Sequence, residues 1–209
     1  MRLQNFEAFI LDMDGTLIDT GKYHARAFAD AVLEQSGYAL TPGEHHEFFA
    51  SHTKPFSQVL NERYGLSLEP ERVLLQKRRR MEEVFVAELF EGAREFLERW
   101  HGKKPMALAT NSPLSFARPA LEETGLMEYF DCITTTDEVA NKKPDPEIIE
   151  ITIQKLRVDP LKTLVFEDQL MGIEAARTAG AHVMAIDNGQ HVEFPPDIPV
   201  ATWKELLSA

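Results

Sequence analysis

The sequence predicts an α/β fold in which a parallel sheet forms the core and a helical domain is inserted after the first strand. Short apolar runs recur along the chain, and polar residues follow each of them, as is typical of buried parallel strands. Helical patterns separate the later runs, which favours one sheet with helices on both faces. A helix-rich stretch of more than ninety residues between the first two runs predicts the insertion.

The predicted strands lie at residues 8–11, 106–109, 132–134, 163–166 and 183–186. Helical patterns at 113–124 and 145–156 supply crossover connections between strands that run in the same direction. This alternation is typical of a Rossmann-like sheet.

The long stretch after the first strand predicts five helices, at 23–35, 42–50, 56–64, 70–89 and 94–100. A single crossover helix cannot account for this length, and the last of the five is the expected crossover. We therefore predict a core of residues 1–21 and 90–209 and a mobile helical cap of residues 22–89, with hinges near Thr20-Gly21 and Phe90-Gly92.

Composition excludes several classes of protein. The 209 residues carry a net charge of −12, which argues against a general nucleic-acid surface. Apolar runs stay below the roughly 18 residues that a membrane-spanning helix needs, and the N-terminus lacks the pattern of a signal peptide. A single cysteine, Cys132, predicts a buried thiol without a disulfide framework. We expect a cytoplasmic monomer that contacts neither nucleic acid nor membrane.

Carboxylates follow two of the predicted strands. Asp12 and Asp14 are two residues apart, so in an extended chain both side chains face the same way, and one can attack phosphorus while the other handles a proton. Gly15 lets the chain turn away at once. Asp168, with Glu167 beside it, adds a carboxylate from a strand that we expect to be adjacent, and such oxygen ligands suit Mg²⁺.

A hydroxyl group follows the second predicted strand, and a cationic group follows the third. Thr110 and Lys143 are predicted to hold phosphoryl oxygens, and Lys143 is favoured over Lys142 because the next residue is a proline. Ser112 precedes Pro113 and is predicted to be the N-cap of the next helix, which would free Thr110 for phosphate.

Residues 9–20, Phe-Ile-Leu-Asp-Met-Asp-Gly-Thr-Leu-Ile-Asp-Thr, resemble the first motif of the haloacid dehalogenase-type phosphotransferases, subfamily I. The later three elements match the other motifs of that family in order. The resemblance implies that Asp12 is the nucleophile and Asp14 the general acid and base, whose backbone carbonyl also ligates magnesium. It implies further that Asp168 is a metal ligand supported by Glu167, and that residues 22–89 form a helical C1 cap.

Within this family the chain is similar to β-phosphoglucomutase-like and fructose-1-phosphate phosphatase-like members. His24 matches the position of a cap histidine in the mutases, but the cap segment 50–55 lacks the arginine that a mutase is expected to use for a distal phosphate. We assign Asn111, His24 and Lys77 to substrate binding.

These expectations favour a magnesium-dependent phosphatase that acts on a small phosphorylated metabolite, with sugar phosphates as the expected substrates. Two alternatives stay open. One is an isomerase that returns the phosphoryl group to a bound sugar, and the other is a phosphate-responsive binding protein without turnover.

Overall fold

A computed structural model describes residues 2–49, 53–189 and 192–208 of the chain. The chain divides into two compact units. One unit comprises Met1–Asp19 and Ala87–Ala209, and the other comprises Thr20–Val86.

The first unit contains a parallel sheet of six strands in the order β3-β2-β1-β4-β5-β6. The predicted α/β fold is confirmed, and the five predicted strands lie where they were expected to within one residue at either end. The sixth strand has only two residues and was not predicted. The strands are β1 (Ala8–Leu11), β2 (Met106–Ala109), β3 (Cys132–Thr134), β4 (Thr163–Glu167), β5 (His182–Ile186) and β6 (Val200–Ala201).

The central strand β1 lies between β2 and β4 and is completely buried, which explains its unbroken apolar sequence. Leu11 is paired with Phe166, so the residues after β1 and after β4 leave the sheet side by side. The amide of Asp12 continues this pairing and donates to the carbonyl of Phe166 at 3.0 Å. The expected adjacency of these two strands is therefore confirmed.

Each face of the sheet is covered by a different pair of helices. On one face α7 (Glu147–Leu156) and α8 (Leu170–Thr178) bury aliphatic side chains against Ile10 and Val165. On the other face, aromatic rings from α5 (Ala93–Trp100) and α9 (Trp203–Ser208) pack against the strands. A further helix of this unit is α6 (Leu114–Glu123).

The second unit contains α1 (Gly21–Ser36), α2 (Pro42–Phe49), α3 (Thr53–Tyr64) and α4 (Pro70–Val84). Its core combines aliphatic and aromatic side chains, and the rings of Phe28 and Phe48 are stacked with their centroids 4.3 Å apart. Burial alone would raise the pKa of Glu44, but hydrogen bonds from Thr41, Tyr64 and Tyr38 lower this pKa to about 2.

Two local expectations are wrong. The helix predicted at 70–89 ends at Val84, because Glu88 and Phe90 form backbone hydrogen bonds with Asp19 and Leu17 instead of continuing the helix. Cys132 is half-buried rather than buried. Within the described ranges, no helix is both long enough and apolar enough to cross a membrane.

Trp203 ties the C-terminal helix to the sheet. Its side chain is 2% exposed, its ring centroid lies 4.8 Å from that of Phe96, and its indole N–H donates to the carbonyl of Thr16 at 2.8 Å. We expect Trp203→Ala to lower the free energy of unfolding by about 3–5 kcal/mol, because a large buried side chain is removed. Urea unfolding of the first unit measures this loss.

Leu161→Ala is the control for this prediction, because Leu161 is 68% exposed and its truncation is expected to cost less than about 0.5 kcal/mol. Equal effects of the two substitutions would contradict the anchoring role of Trp203.

Candidate active site

The loop after β1 turns away from the sheet directly beside β4. Gly15 has a φ of 83°, a conformation that favours glycine. A Cβ at this position would lie 2.2 Å from Oδ2 of Asp168. The glycine that follows the two aspartates is therefore required both by the turn and by the close approach of Asp168.

Lys143 lies at the centre of the site and is 4% exposed. Its Nζ donates to Oδ1 of Asp12 at 2.7 Å, to Oε1 of Glu167 at 2.7 Å and to the carbonyl of Ala109 at 2.8 Å. Burial alone would lower the pKa of Lys143, but the two carboxylates outweigh it and raise the pKa above its usual value. An ammonium has three N–H donors, so a phosphoryl oxygen would have to share or replace one of these bonds.

Asp12, Glu167 and Asp168 form a compact group of buried carboxylates. One oxygen from each lies within 4.8 Å of the other two. Burial raises the pKa of Asp12 well above its usual value; Lys143 opposes this shift, and the neighbouring carboxylates add to it. Burial and the charge of Glu167 raise the pKa of Asp168 to about 7, although neutral hydrogen-bond donors oppose the shift.

These carboxylates fit a divalent cation such as Mg²⁺. The charges of Glu167, Asp168 and Asp14 all act on Asp12, whereas the ammonium of Lys143 pairs with only two carboxylates, those of Asp12 and Glu167. Closely spaced carboxylate oxygens are hard ligands, and their mutual repulsion adds to the burial that raises the pKa values of Asp12 and Asp168. A bound divalent cation would relieve that repulsion.

The carboxylate of Asp14 binds two hydroxyl groups that follow β2. Its Oδ2 accepts from the hydroxyl of Ser112 at 2.7 Å and from that of Thr110 at 3.2 Å. The expectation that Ser112 is a helix N-cap is therefore wrong. Pro113 is the N-cap, and the first helical amide, that of Leu114, donates to Oδ2 of Asp137 in another loop at 2.8 Å.

Thr110 is fully buried, and its hydroxyl bridges two elements of the site. It donates to Asp14 and accepts from the amide of Ser112 at 3.0 Å. Its predicted contact with a phosphoryl oxygen would require the hydroxyl to turn away from Asp14. The backbone carbonyl of Asp14, which the resemblance assigns to the metal, stays a predicted ligand.

Asn111 holds the loop that carries Lys143. Its side-chain amide accepts from the Lys143 amide at 3.0 Å and donates to the Lys143 carbonyl at 3.3 Å. Lys142, the alternative to Lys143, is exposed. Asn111 was assigned to substrate binding, and in this structure its amide groups position the lysine.

The predicted cap residues lie in the helical unit. His24 is on α1 and half-buried, and Lys77 is on α4 with its Nζ 5.2 Å from the ring centroid of Phe48. Their roles in substrate binding stay predictions. The first part of the segment at 50–55, used in the argument about the mutases, lies outside the described residues.

Comparison with known proteins matches residues 6–180 to the model of the haloacid dehalogenase-like hydrolase family. The match includes every predicted catalytic and metal-binding residue. The chain belongs to the haloacid dehalogenase-like hydrolases.

Relatives with assigned activities match about as much of the chain. Fructose-1-phosphate phosphatase YqaB of Escherichia coli is 30% identical over 178 residues, which are 85% of this chain and 94% of that protein. A phosphorylated carbohydrates phosphatase of Thermotoga maritima is 37% identical over 179 residues, 83% of this chain and 82% of that protein.

A solved structure shares the whole architecture. The crystal structure of a putative β-phosphoglucomutase from Thermotoga maritima has a TM-score of 0.74 and 31% sequence identity, and the match covers 97% of both chains. This hydrolase therefore resembles both classes of enzyme between which the sequence left a choice.

Sequence reasoning missed several residues of the site, and two of them lie beyond the motifs that it used. Asn188 and Trp203 both follow residue 180, beyond the family match, yet Asn188 contacts Asp168 and Trp203 contacts Thr16. Asn188 comes directly after β5, so the carboxyl-end rule for parallel sheets could have found it. Trp203 carries no comparable signal, because it reaches the site from a helix near the end of the chain.

Gly172 provides the space that Glu167 occupies. A Cβ on Gly172 would lie 1.7 Å from Oε1 of Glu167, the oxygen that accepts from Lys143. We expect Gly172→Ala to displace this carboxylate and to destabilise the metal-free protein by about 1–3 kcal/mol, as overpacking does. Chemical denaturation measures the change.

Gly43→Ala is the matched control, since Gly43 is also helical and only Oγ1 of Thr41, at 4.0 Å, would come near its Cβ. This substitution is expected to be neutral or to stabilise by up to about 1 kcal/mol. A stable Gly172→Ala protein with wild-type activity would show that the position of Glu167 does not require a residue without a side chain at position 172.

Proposed function

We propose that this hydrolase is a magnesium-dependent phosphatase that cleaves a small phosphorylated metabolite through an aspartyl-phosphate intermediate on Asp12. The observation that carries the proposal is the buried carboxylate group, in which Lys143 fixes Asp12 by a hydrogen bond of 2.7 Å. Family membership and the two phosphatase relatives support it.

In the first half-reaction a carboxylate oxygen of Asp12 attacks phosphorus in line with the leaving oxygen. Oδ1 is held by Lys143, so the nucleophile is oriented before the substrate arrives. The phosphorus–oxygen bond to the metabolite breaks as the bond to Asp12 forms. The products of this step are the aspartyl phosphate and an alcohol.

Asp14 is proposed to carry the proton in both halves of the reaction. In its protonated form it donates to the leaving oxygen, and the resulting carboxylate then takes a proton from water, which attacks the phosphorus of the aspartyl phosphate. The hydroxyl groups of Ser112 and Thr110 donate to Oδ2 of Asp14 at 2.7 and 3.2 Å and so fix its side chain. Its separate environment suits a separate role.

Asp12, Asp168 and the Asp14 carbonyl would hold Mg²⁺, with Glu167 beside them. When bound, the ion supplies positive charge that offsets the repulsion between an anionic nucleophile and an anionic phosphate. Lys143 supplies a fixed charge for the same purpose and opposes the rise that burial causes in the pKa of Asp12.

Sugar phosphates are the proposed substrates. The support is the named activity of two relatives, one on fructose 1-phosphate and one on phosphorylated carbohydrates. His24 and Lys77 of the helical unit are the proposed substrate contacts of this chain, which we propose acts as a cytoplasmic monomer. The unit Thr20–Val86 is proposed to be the cap that selects among substrates.

The direct experiment is phosphate release from a panel of sugar and polyol phosphates. We expect release by the wild type with Mg²⁺, none with EDTA, and a loss on the order of 10³-fold or more in Asp12→Asn, because the nucleophile is removed. A thermal melt of the variant shows whether it is folded.

The control is Asp131→Asn. Asp131 lies at the amino ends of the strands, on the side of the sheet away from the carboxylates, and accepts from the amide of Met106. Equal release by Asp12→Asn and wild type would reject the proposed nucleophile. Release that is absent from every substrate, together with isomerisation of glucose 1-phosphate in the presence of a bisphosphate, would identify the mutase instead.

A further inference from the structure

Asn188 connects the two loops that carry the catalytic carboxylates. Its Nδ2 lies 2.7 Å from the carbonyl oxygen of Gly15 and 3.1 Å from Oδ2 of Asp168. Gly15 belongs to the loop after β1, and Asp168 follows β4. One side-chain amide from the loop after β5 therefore binds the loops that follow β1 and β4, two strands that are neighbours in the sheet.

Asp168 differs from the other two carboxylates of its group in the charge of its partners. Oδ1 accepts from the Thr16 hydroxyl at 2.9 Å, and Oδ2 accepts from the side-chain amides of Gln169 and Asn188, both at 3.1 Å. Within the described ranges, no lysine or arginine forms an ion pair with it, whereas Lys143 contacts both Asp12 and Glu167.

Neutral donors have a specific consequence for a metal ligand. They fix the orientation of the carboxylate without neutralising its charge, so its affinity for a cation is preserved. A lysine at the same place would compete with the cation. The hydrogen bonds of Asn188 thus suit a residue that orients a ligand.

The position of Asn188 also bears on the turn after the nucleophile. Gly15 approaches Asp168 so closely that no side chain fits between them. The shared donor Nδ2 keeps the Gly15 carbonyl and the Asp168 carboxylate, which are both acceptors, from repelling each other across this contact. Losing the donor would leave two facing acceptors without a proton between them.

We propose that Asn188 is a positioning residue of the magnesium site, which orients Asp168 and locks the Gly15 turn against it. This inference rests on the proposed function, because it assigns Asp168 to the metal. Asn188 lies outside the matched range 6–180, so the family match does not assign it a role.

Two substitutions separate the lost donor from the lost volume. Asn188→Ala removes both, and Asn188→Leu removes the donor while keeping a side chain of similar size. In both variants we expect the Mg²⁺ concentration for half-maximal phosphate release to rise about 10–100-fold, the usual cost of removing a group that orients a metal ligand. The KM for substrate at saturating Mg²⁺ is expected to change much less.

A second readout does not depend on activity. The metal-free proteins are titrated with Mg²⁺ and their melting temperatures recorded, since a ligand of the folded state raises the melting temperature according to its affinity. We expect the midpoint of this stabilisation to shift by the same factor as the midpoint of activity.

Asn61→Ala is the matched control. Asn61 is also a half-buried asparagine that makes two hydrogen bonds, to the carbonyl and amide of Leu68 at 2.9 and 2.8 Å, but it lies in the helical unit. Its loss is expected to lower the melting temperature and to leave the Mg²⁺ midpoint unchanged.

The outcomes are distinguishable. A wild type that is neither stabilised nor activated by Mg²⁺ would reject the proposed function itself. A wild type that responds to Mg²⁺, together with wild-type midpoints in either folded Asn188 variant, would reject the positioning role of Asn188 and leave the phosphatase standing.

Discussion

The buried ammonium of Lys143 is the interaction on which the site depends. It is shared by Asp12, Glu167 and the carbonyl of Ala109, and all of its donors are used. Removing one partner from a buried ionic cluster leaves an uncompensated charge and typically costs about 3–5 kcal/mol. The lysine thus fixes the nucleophile and at the same time limits how many carboxylates the site can hold without a further cation.

The remaining negative charge explains the rest of the arrangement. A single ammonium cannot balance the carboxylates around it, and burial makes their charges costly. The site therefore favours a divalent ion at the end of the sheet, where Asp12, Glu167 and Asp168 come within reach of one another. Two glycines permit this proximity, because side chains at Gly15 and Gly172 would collide with Asp168 and Glu167.

Much of this could be predicted from the sequence, because the sheet obeys simple rules. Buried parallel strands are short apolar runs, and functional groups collect at their carboxyl ends, so the strands and the candidate residues after β1, β2 and β4 could be located without a structure. The sequence analysis also expected β1 and β4 to be neighbours, and their observed pairing brings Asp12 and Asp168 together.

The errors arose where contacts between distant segments override local preference. Ser112 has the sequence context of an N-cap, but its hydroxyl donates to Asp14, 98 residues away in the chain. The helical amide of Leu114 donates to Asp137 instead. The helix at 70–89 ends early because its last residues pair with residues 17–19. Asn188 lies beyond the residues that any motif covers; its position after β5 could have made it a candidate, but its contact with Asp168 is seen only in the folded sheet.

The proposed mechanism depends on a covalent role of Asp12. The most direct measurement is to mix the enzyme with Mg²⁺ and a turned-over sugar phosphate, to stop the reaction in acid within milliseconds, and to map the peptides by mass spectrometry. We expect a phosphoryl group on the peptide that contains Asp12, located at this residue by fragmentation. A phosphoryl group on another residue, or rapid turnover with no modified peptide at any quench time, would contradict it.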